Sequence, residues 1–315
     1  MAEKHIDEVT GTETMGHEWD GIEELDTPMP RWWLLTFIAC IIWALGYVVL
    51  YPAIPLRSGA TQGTIGWTSR GELAAETRAA EAARKPVVAA LNALAIEDLP
   101  KNPELMRAAV AGGKAAFRVN CAACHGAGAA GSNGYPNLND DDWLWGGDLK
   151  TLETTIAHGI RFPGDAQTRQ SLMPNFGKDG ILNPAQVADV AAYVRSLAKL
   201  APADAAAARG AGLFAANCVA CHGPEAKGNR ALGAPNLTDA IWLYGSSADQ
   251  VQASVTVAHA GVMPAWQGRL DGATIKMLAA YVHSLGGGEA APAASPVQAA
   301  EAAGAPAAGA GNVGG

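Results

Sequence analysis

The chain has 315 residues, five cysteines and a formal net charge of −8. That length accommodates two or three small domains, and so few cysteines exclude a disulfide-framed scaffold. Residues 1–31 carry nine acids against Lys4 and Arg31, whereas residues 112–200 hold eight charges of each sign and residues 201–285 five of each. The excess therefore belongs to the N-terminal segment, and no basic patch for nucleic acid stands out.

Residues 1–31 read as an acidic tail. Residues 32–54, Trp32 to Ile54, form an uncharged apolar stretch bounded by Arg31 and Arg57. About 20 apolar residues cross a bilayer. Trp32, Trp33, Tyr47 and Tyr51 lie near the ends, where amphipathic rings prefer the interface. A cleaved signal peptide is the competing reading, but the long acidic lead and the lack of a nearby small-X-small site favour an uncleaved anchor. Positive charge is scarce before the span and continues after it, so charge alone does not orient it. The fifth cysteine, Cys40, lies within this run.

Residues 55–111 read as a connecting arm, helical where Ala is interspersed with Glu and Arg from Glu72 to Arg84. Beyond it the chain is duplicated. Gly113, Phe117, Asn120 and Cys121 recur as Gly210, Phe214, Asn217 and Cys218. Pro136-Asn137-Leu138 recurs as Pro235-Asn236-Leu237, and Trp143-Leu144-Trp145-Gly146 as Trp242-Leu243-Tyr244-Gly245. His158 corresponds to His259, Met173-Pro174 to Met263-Pro264, and Tyr193 to Tyr281. Such self-similarity marks one fold of about 85 residues used twice, over 112–200 and 205–285.

Each copy carries Cys-X-X-Cys-His: Cys121, Cys124 and His125, then Cys218, Cys221 and His222. The spacing is that of covalent attachment to a c-type haem, the thiols forming thioethers and the His facing the iron. Disulfides or a zinc site built from the Cys pairs are the alternatives, and neither requires the His. Met173 and Met263, in Met-Pro turns before the last helix of each copy, are the candidate ligands for the opposite face. They would raise the potential relative to two His ligands and leave no open position. The default is ligation within each repeat; exchange of the Met loops is the other arrangement.

The last helices start at Asn183-Pro184 and are apolar on one face, as at Val187, Val190, Val194 and Leu197. Gly113 and Gly210 would admit a crossing helix, with Phe117 expected to meet Tyr193 and Phe214 to meet Tyr281. The carbonyls of Pro136 and Pro235 are placed to accept the free ring N–H of His125 and His222. Trp143 and Trp242 either donate to haem propionates or pack on the haem edge. His158 and His259 suit a propionate or outer-shell role better than ligation. Asp140-Asp141-Asp142 is either a solvated loop or a docking point for partner lysines. Residues 286–315, nearly all Gly, Ala and Pro, have the composition of a disordered tail. The fold class is thus all-α: one N-terminal transmembrane helix followed by two tandem cytochrome c domains.

From Asp26 to Leu285 the chain resembles the membrane-anchored dihaem subunit family of cbb3-type cytochrome c oxidases, the CcoP/FixP type. Thr27-Pro-Met-Pro-Arg-Trp-Trp33, Gly66-Trp67-Thr68-Ser69-Arg70-Gly71 and both haem repeats carry the likeness. The resemblance implies two covalently bound c-type haems and a place in aerobic respiration. Electrons would come from a cytochrome c or cytochrome bc complex and pass through a monohaem subunit toward the oxygen-reducing catalytic subunit of a proton-pumping oxidase. The chain would then be no enzyme on its own. Likeness to c-type cytochromes places residues 57–315 in the periplasm and residues 1–31 in the cytoplasm, with the span in the bacterial inner membrane. A free-standing membrane-tethered shuttle and a dihaem peroxidase are the rivals; the second needs a displaceable iron ligand that paired Met residues argue against.

Overall fold

A computed structural model describes residues 4–290. All of the expected disordered tail beyond Ala290 lies outside the described residues. The chain divides into two compact units, residues 1–83 and 84–315.

In the first unit, β1 (Thr14–Trp19) pairs antiparallel with β2 (Ile22–Leu25). The link is Asp20-Gly21, with φ of 50° and 84°, the left-handed pair that a two-residue hairpin loop requires. The segment expected as a plain tail therefore contains a hairpin. Helix α1 (Arg31–Leu50) follows, 20 residues with none buried, or about 30 Å at 1.5 Å per residue. The expected span ran to Ile54, but the helix stops at Leu50. Pro52 pushes the residue before it out of helical geometry, and Tyr51 is extended at φ −112° and ψ 161°. Strands β3 (Pro55–Leu56) and β4 (Gly59–Ala60) make a second small hairpin. Helix α2 (Ser69–Ala93) runs on into the second unit.

The second unit carries both sequence repeats. Helix α3 (Pro103–Asn120) begins at Asn102, whose side chain accepts from the Leu105 amide, with Pro103 in the first turn. Its buried residues Leu105, Ala109, Gly113 and Phe117 recur every four positions along one ridge. The turn α4 (Ala122–His125) and helix α5 (Leu149–His158, capped by Asp148) complete the first copy's N-terminal half. Helix α6 (Pro184–Leu197) starts with a reciprocal Asn183–Gln186 capping box. The second copy repeats the series as α7 (Ala205–Asn217), α8 (Val219–His222), α9 (Ala248–Thr256) and α10 (Gly272–His283).

The two copies exchange their closing helices. Helix α6 packs on α7 and α9 of the second copy, and α10 returns to α3 and α5 of the first. The expected Phe117–Tyr193 and Phe214–Tyr281 contacts are accordingly replaced: Phe117 meets Tyr281 at 5.3 Å between ring centroids, and Tyr193 meets Phe214 at 5.4 Å. The joint explains the choice. Only Ala198–Asp204 separates α6 from α7, and consecutive helices joined by a short link pack as neighbours.

The crossings are close because of the two glycines. A Cβ on Gly113 would overlap the Met277 carbonyl oxygen of α10, and one on Gly210 would overlap the Asp189 carbonyl oxygen of α6. At the second crossing Arg209 reaches across to Asp189, with Nε–Oδ2 at 2.8 Å and Nη2–Oδ1 at 2.6 Å.

Two buried clusters result. The first joins Phe117, Leu149, Leu152 and Ile156 to Trp266, Leu278 and Tyr281, and also takes in Leu91, Ile96, Leu99 and Leu105. The later part of the expected arm, 55–111, is therefore integral to the first core. Lys276 of α10 ties it down by donating from Nζ to the carbonyls of Leu91 and Leu94 at the end of α2, a favourable place for a cation. The second cluster holds Phe176, Leu182, Val187, Val190 and Val194 with Phe214 and Val251.

Candidate functional site

Each Cys-X-X-Cys-His motif begins where a helix ends. Cys121 and Cys218 are the C-terminal caps of α3 and α7 and accept the amides of His125 and His222 at 3.0 and 2.9 Å. One further turn puts both thiols and the His at i, i+3 and i+4, on one face. None of the four motif cysteines is in a disulfide. Burial first, and then the neighbouring Cys, pushes the Cys121 and Cys218 thiols up to about 11.

The ring orientation of both histidines is fixed from behind. His125 Nδ1 lies 3.1 Å from the Pro136 carbonyl, and His222 Nδ1 lies 3.1 Å from that of Pro235. A carbonyl only accepts, so Nδ1 carries the proton and Nε2 presents a lone pair to a metal. Burial lowers the pKa of both rings, with the proline carbonyls acting in the opposite direction.

Glycine makes this closure possible. The amides of Gly131 and Gly228 donate to the carbonyls of His125 and His222 at 2.8 and 2.9 Å. Their φ angles are +65° and +82°, and a Cβ on either would collide with the backbone at the proline. The sequence reading passed over both residues. Their signal was a glycine six positions after His in each copy of the repeat.

The exchange of helices carries the Met turns with it. Met263 packs against the first cluster, with Cys121 and Trp143, and Met173 against the second, with Val219 and Trp242. Backbone bonds hold each turn in place. Ile160 and Met263 exchange both amide-to-carbonyl bonds at 3.0 Å, and the Trp266 amide donates to Ala157 at 3.0 Å. On the other side the Lys178 amide donates to Thr256 at 3.0 Å, and Asn175 Oδ1 accepts from the Ala258 amide at 3.0 Å. The default of a Met turn folding back on its own repeat is thus not what the packing shows. Both sites fit a c-type haem: a cysteine pair outside any disulfide, an oriented imidazole with Nε2 available, and a thioether on the same core.

The remaining candidates separate. The indole N–H of Trp143 donates to the Gly287 carbonyl and that of Trp242 to the Asp239 carbonyl. His158 Nδ1 is 3.0 Å from Asp165, whereas the exposed His259 stacks on Tyr244 at 3.7 Å between centroids. The two His positions are equivalent in sequence but not in surroundings. Asp140, Asp141 and Asp142 gather near Asp239 and Arg230, and burial followed by Asp239 raises Asp142 to about 6.

Three family models match in register with this architecture. Residues 11–58 match the N-terminal domain of cytochrome oxidase-cbb3, FixP; residues 110–198 match cytochrome c; and residues 205–282 match cytochrome c oxidase, cbb3-type, subunit III. The cbb3-type cytochrome c oxidase subunit FixP of Bradyrhizobium sp. (strain ORS 278) is 53% identical over 90% of this chain and 98% of its own length. The FixP of Rhizobium meliloti (strain 1021) is 51% identical over 91% and 98%. The CcoP of Cereibacter sphaeroides is 50% identical over 88% and 95%. The chain belongs to the FixP/CcoP family of cbb3-type oxidase subunits. As a family member it is an electron-transport subunit of a cbb3 oxidase, anchored by its apolar N-terminal helix. Its cytochrome c domains imply covalently bound c-type haem.

Proposed function

We propose that this FixP/CcoP-type subunit binds two c-type haems and passes electrons between an external donor and the rest of its oxidase. Cys121 and Cys124, and Cys218 and Cys221, would hold the porphyrins through thioether bonds, and His125 and His222 would ligate the irons. In this reading Met263 would be the thioether ligand for the first motif and Met173 that for the second. The haem supplies a one-electron couple. The chain contributes tautomer control through Pro136 and Pro235, exclusion of water by the two cores, and a soft thioether that favours the reduced metal. The donor is a cytochrome c or cytochrome bc complex. The acceptors are the monohaem and catalytic subunits of a proton-pumping complex in the bacterial inner membrane, with the haem domains periplasmic.

The observation that carries this reading is the matched placement of a backed His and a Met on each of the two cores. Equivalent saturated sites suit electron transfer and leave nowhere for peroxide to bind. The test is a pyridine haemochrome assay with a redox titration of the complex isolated from native membranes. Two covalent haems per chain, migrating with oxidase subunits, are expected. One haem, or a haem-stained band running alone, overturns the reading.

A further inference from the structure

Trp145 and Tyr244 occupy the same position in the two repeats, in Trp-Leu-Trp-Gly and Trp-Leu-Tyr-Gly. Each reaches into the other repeat. A Cβ on Gly233 would overlap the Trp145 ring, and a Cβ on Gly134 would lie 3.4 Å from Tyr244 Cε1. The Gly134 amide also donates to the Leu243 carbonyl beside Tyr244 at 2.9 Å.

The glycines they touch are equivalent as well. Gly134 lies two residues before Pro136, and Gly233 two residues before Pro235. Those prolines supply the carbonyls, 3.1 Å away, that hold Nδ1 of His125 and His222. Each aromatic is pinned from its own side: Arg169 Cζ lies 5.3 Å from the Trp145 ring centroid, and His259 stacks on Tyr244. A ring held in this way limits how far the opposite loop can move.

We infer that Trp145 and Tyr244 are positioning residues that act across the repeats: Trp145 sets the Pro235–His222 hydrogen bond, and Tyr244 sets the Pro136–His125 bond. The inference rests on the ligand roles proposed for the two histidines. A firm bond at Nδ1 increases the basicity of the imidazole at Nε2, which favours the oxidised metal. Loosening the loop weakens that bond and raises the potential of the haem in the opposite repeat.

The test is a haem-resolved redox titration of the full-length dihaem protein. Hyperfine-shifted haem methyl resonances tell the sites apart through their proximity to Phe117 or Phe214. Trp145→Ala should shift only the potential of the Cys218/Cys221 haem upward, and Tyr244→Ala only that of the Cys121/Cys124 haem. Trp145→Phe, which keeps a ring against Gly233, should give a smaller shift of the same haem and covers a misfolded alanine variant. No shift, a shift in the haem of the same repeat, or equal shifts in both haems overturns the inference. His125→Met and His222→Met control for the ligand roles. If neither changes its own haem's spectrum or potential, the ligand assignment has failed, independently of the aromatic variants.

Discussion

Phe117, just before the first haem motif, packs against Tyr281 in the last helix, 164 positions away in the chain. Its counterpart Phe214 packs against Tyr193, on the helix that precedes it. The two cores are therefore built from both repeats, and neither sequence repeat encloses a core alone.

This interdependence gives a first expected outcome. A protease site inserted between Leu200 and Asp204, in the joint between α6 and α7, should be cleavable without separating the halves. After cleavage, α6 stays on the second core and α10 on the first. Size-exclusion chromatography under native conditions should show one species holding both haems. Two separable haem-bearing fragments would contradict the exchange.

The glycine crossings give a second. Gly113→Ala and Gly210→Ala each place a methyl where a backbone carbonyl of the partner helix lies. Such overpacking typically costs about 1–3 kcal/mol. Thermal melts of the haem-loaded protein should show lowered midpoints for both, whereas Gly212→Ala, with open space around its Cβ, should leave the midpoint unchanged or raise it.

Much of this was legible beforehand. The Cys-X-X-Cys-His motifs, the duplicated Met-Pro turns and the proline carbonyls behind each His follow from spacing, because local chain geometry fixes what a few residues can reach. The helix start at Asn183-Pro184 follows from cap chemistry. The pairing of Met263 with the first core was not legible, since two nearly identical repeats offer almost identical partners to either Met turn. Only the short Ala198–Asp204 joint distinguishes the two arrangements, and its effect is tertiary. The β1–β2 hairpin had a local signal in Asp20-Gly21, outweighed by the acidic composition around it.

Asp142 carries a pH prediction. Its folded pKa is raised to about 6, by burial and then by Asp239, Asp140 and Asp141, with Arg230 opposing. The ordinary aspartate value is about 3.9. Between these values the folded chain binds more protons than the unfolded one, so this group's contribution to stability falls as pH rises through that window. Asp142→Asn removes the contribution. The difference in melting temperature, variant minus parent, should be larger at pH 7 than at pH 4. A difference independent of pH would show that Asp142 titrates normally.

The most direct measurement of the proposed exchanged ligand set is a haem-resolved redox titration of Met263→His in the full-length protein. A second imidazole replaces a soft thioether and lowers the potential. The account predicts that the Cys121/Cys124 haem, the one near Phe117, falls while the Cys218/Cys221 haem keeps its potential. A fall confined to the Cys218/Cys221 haem would contradict it.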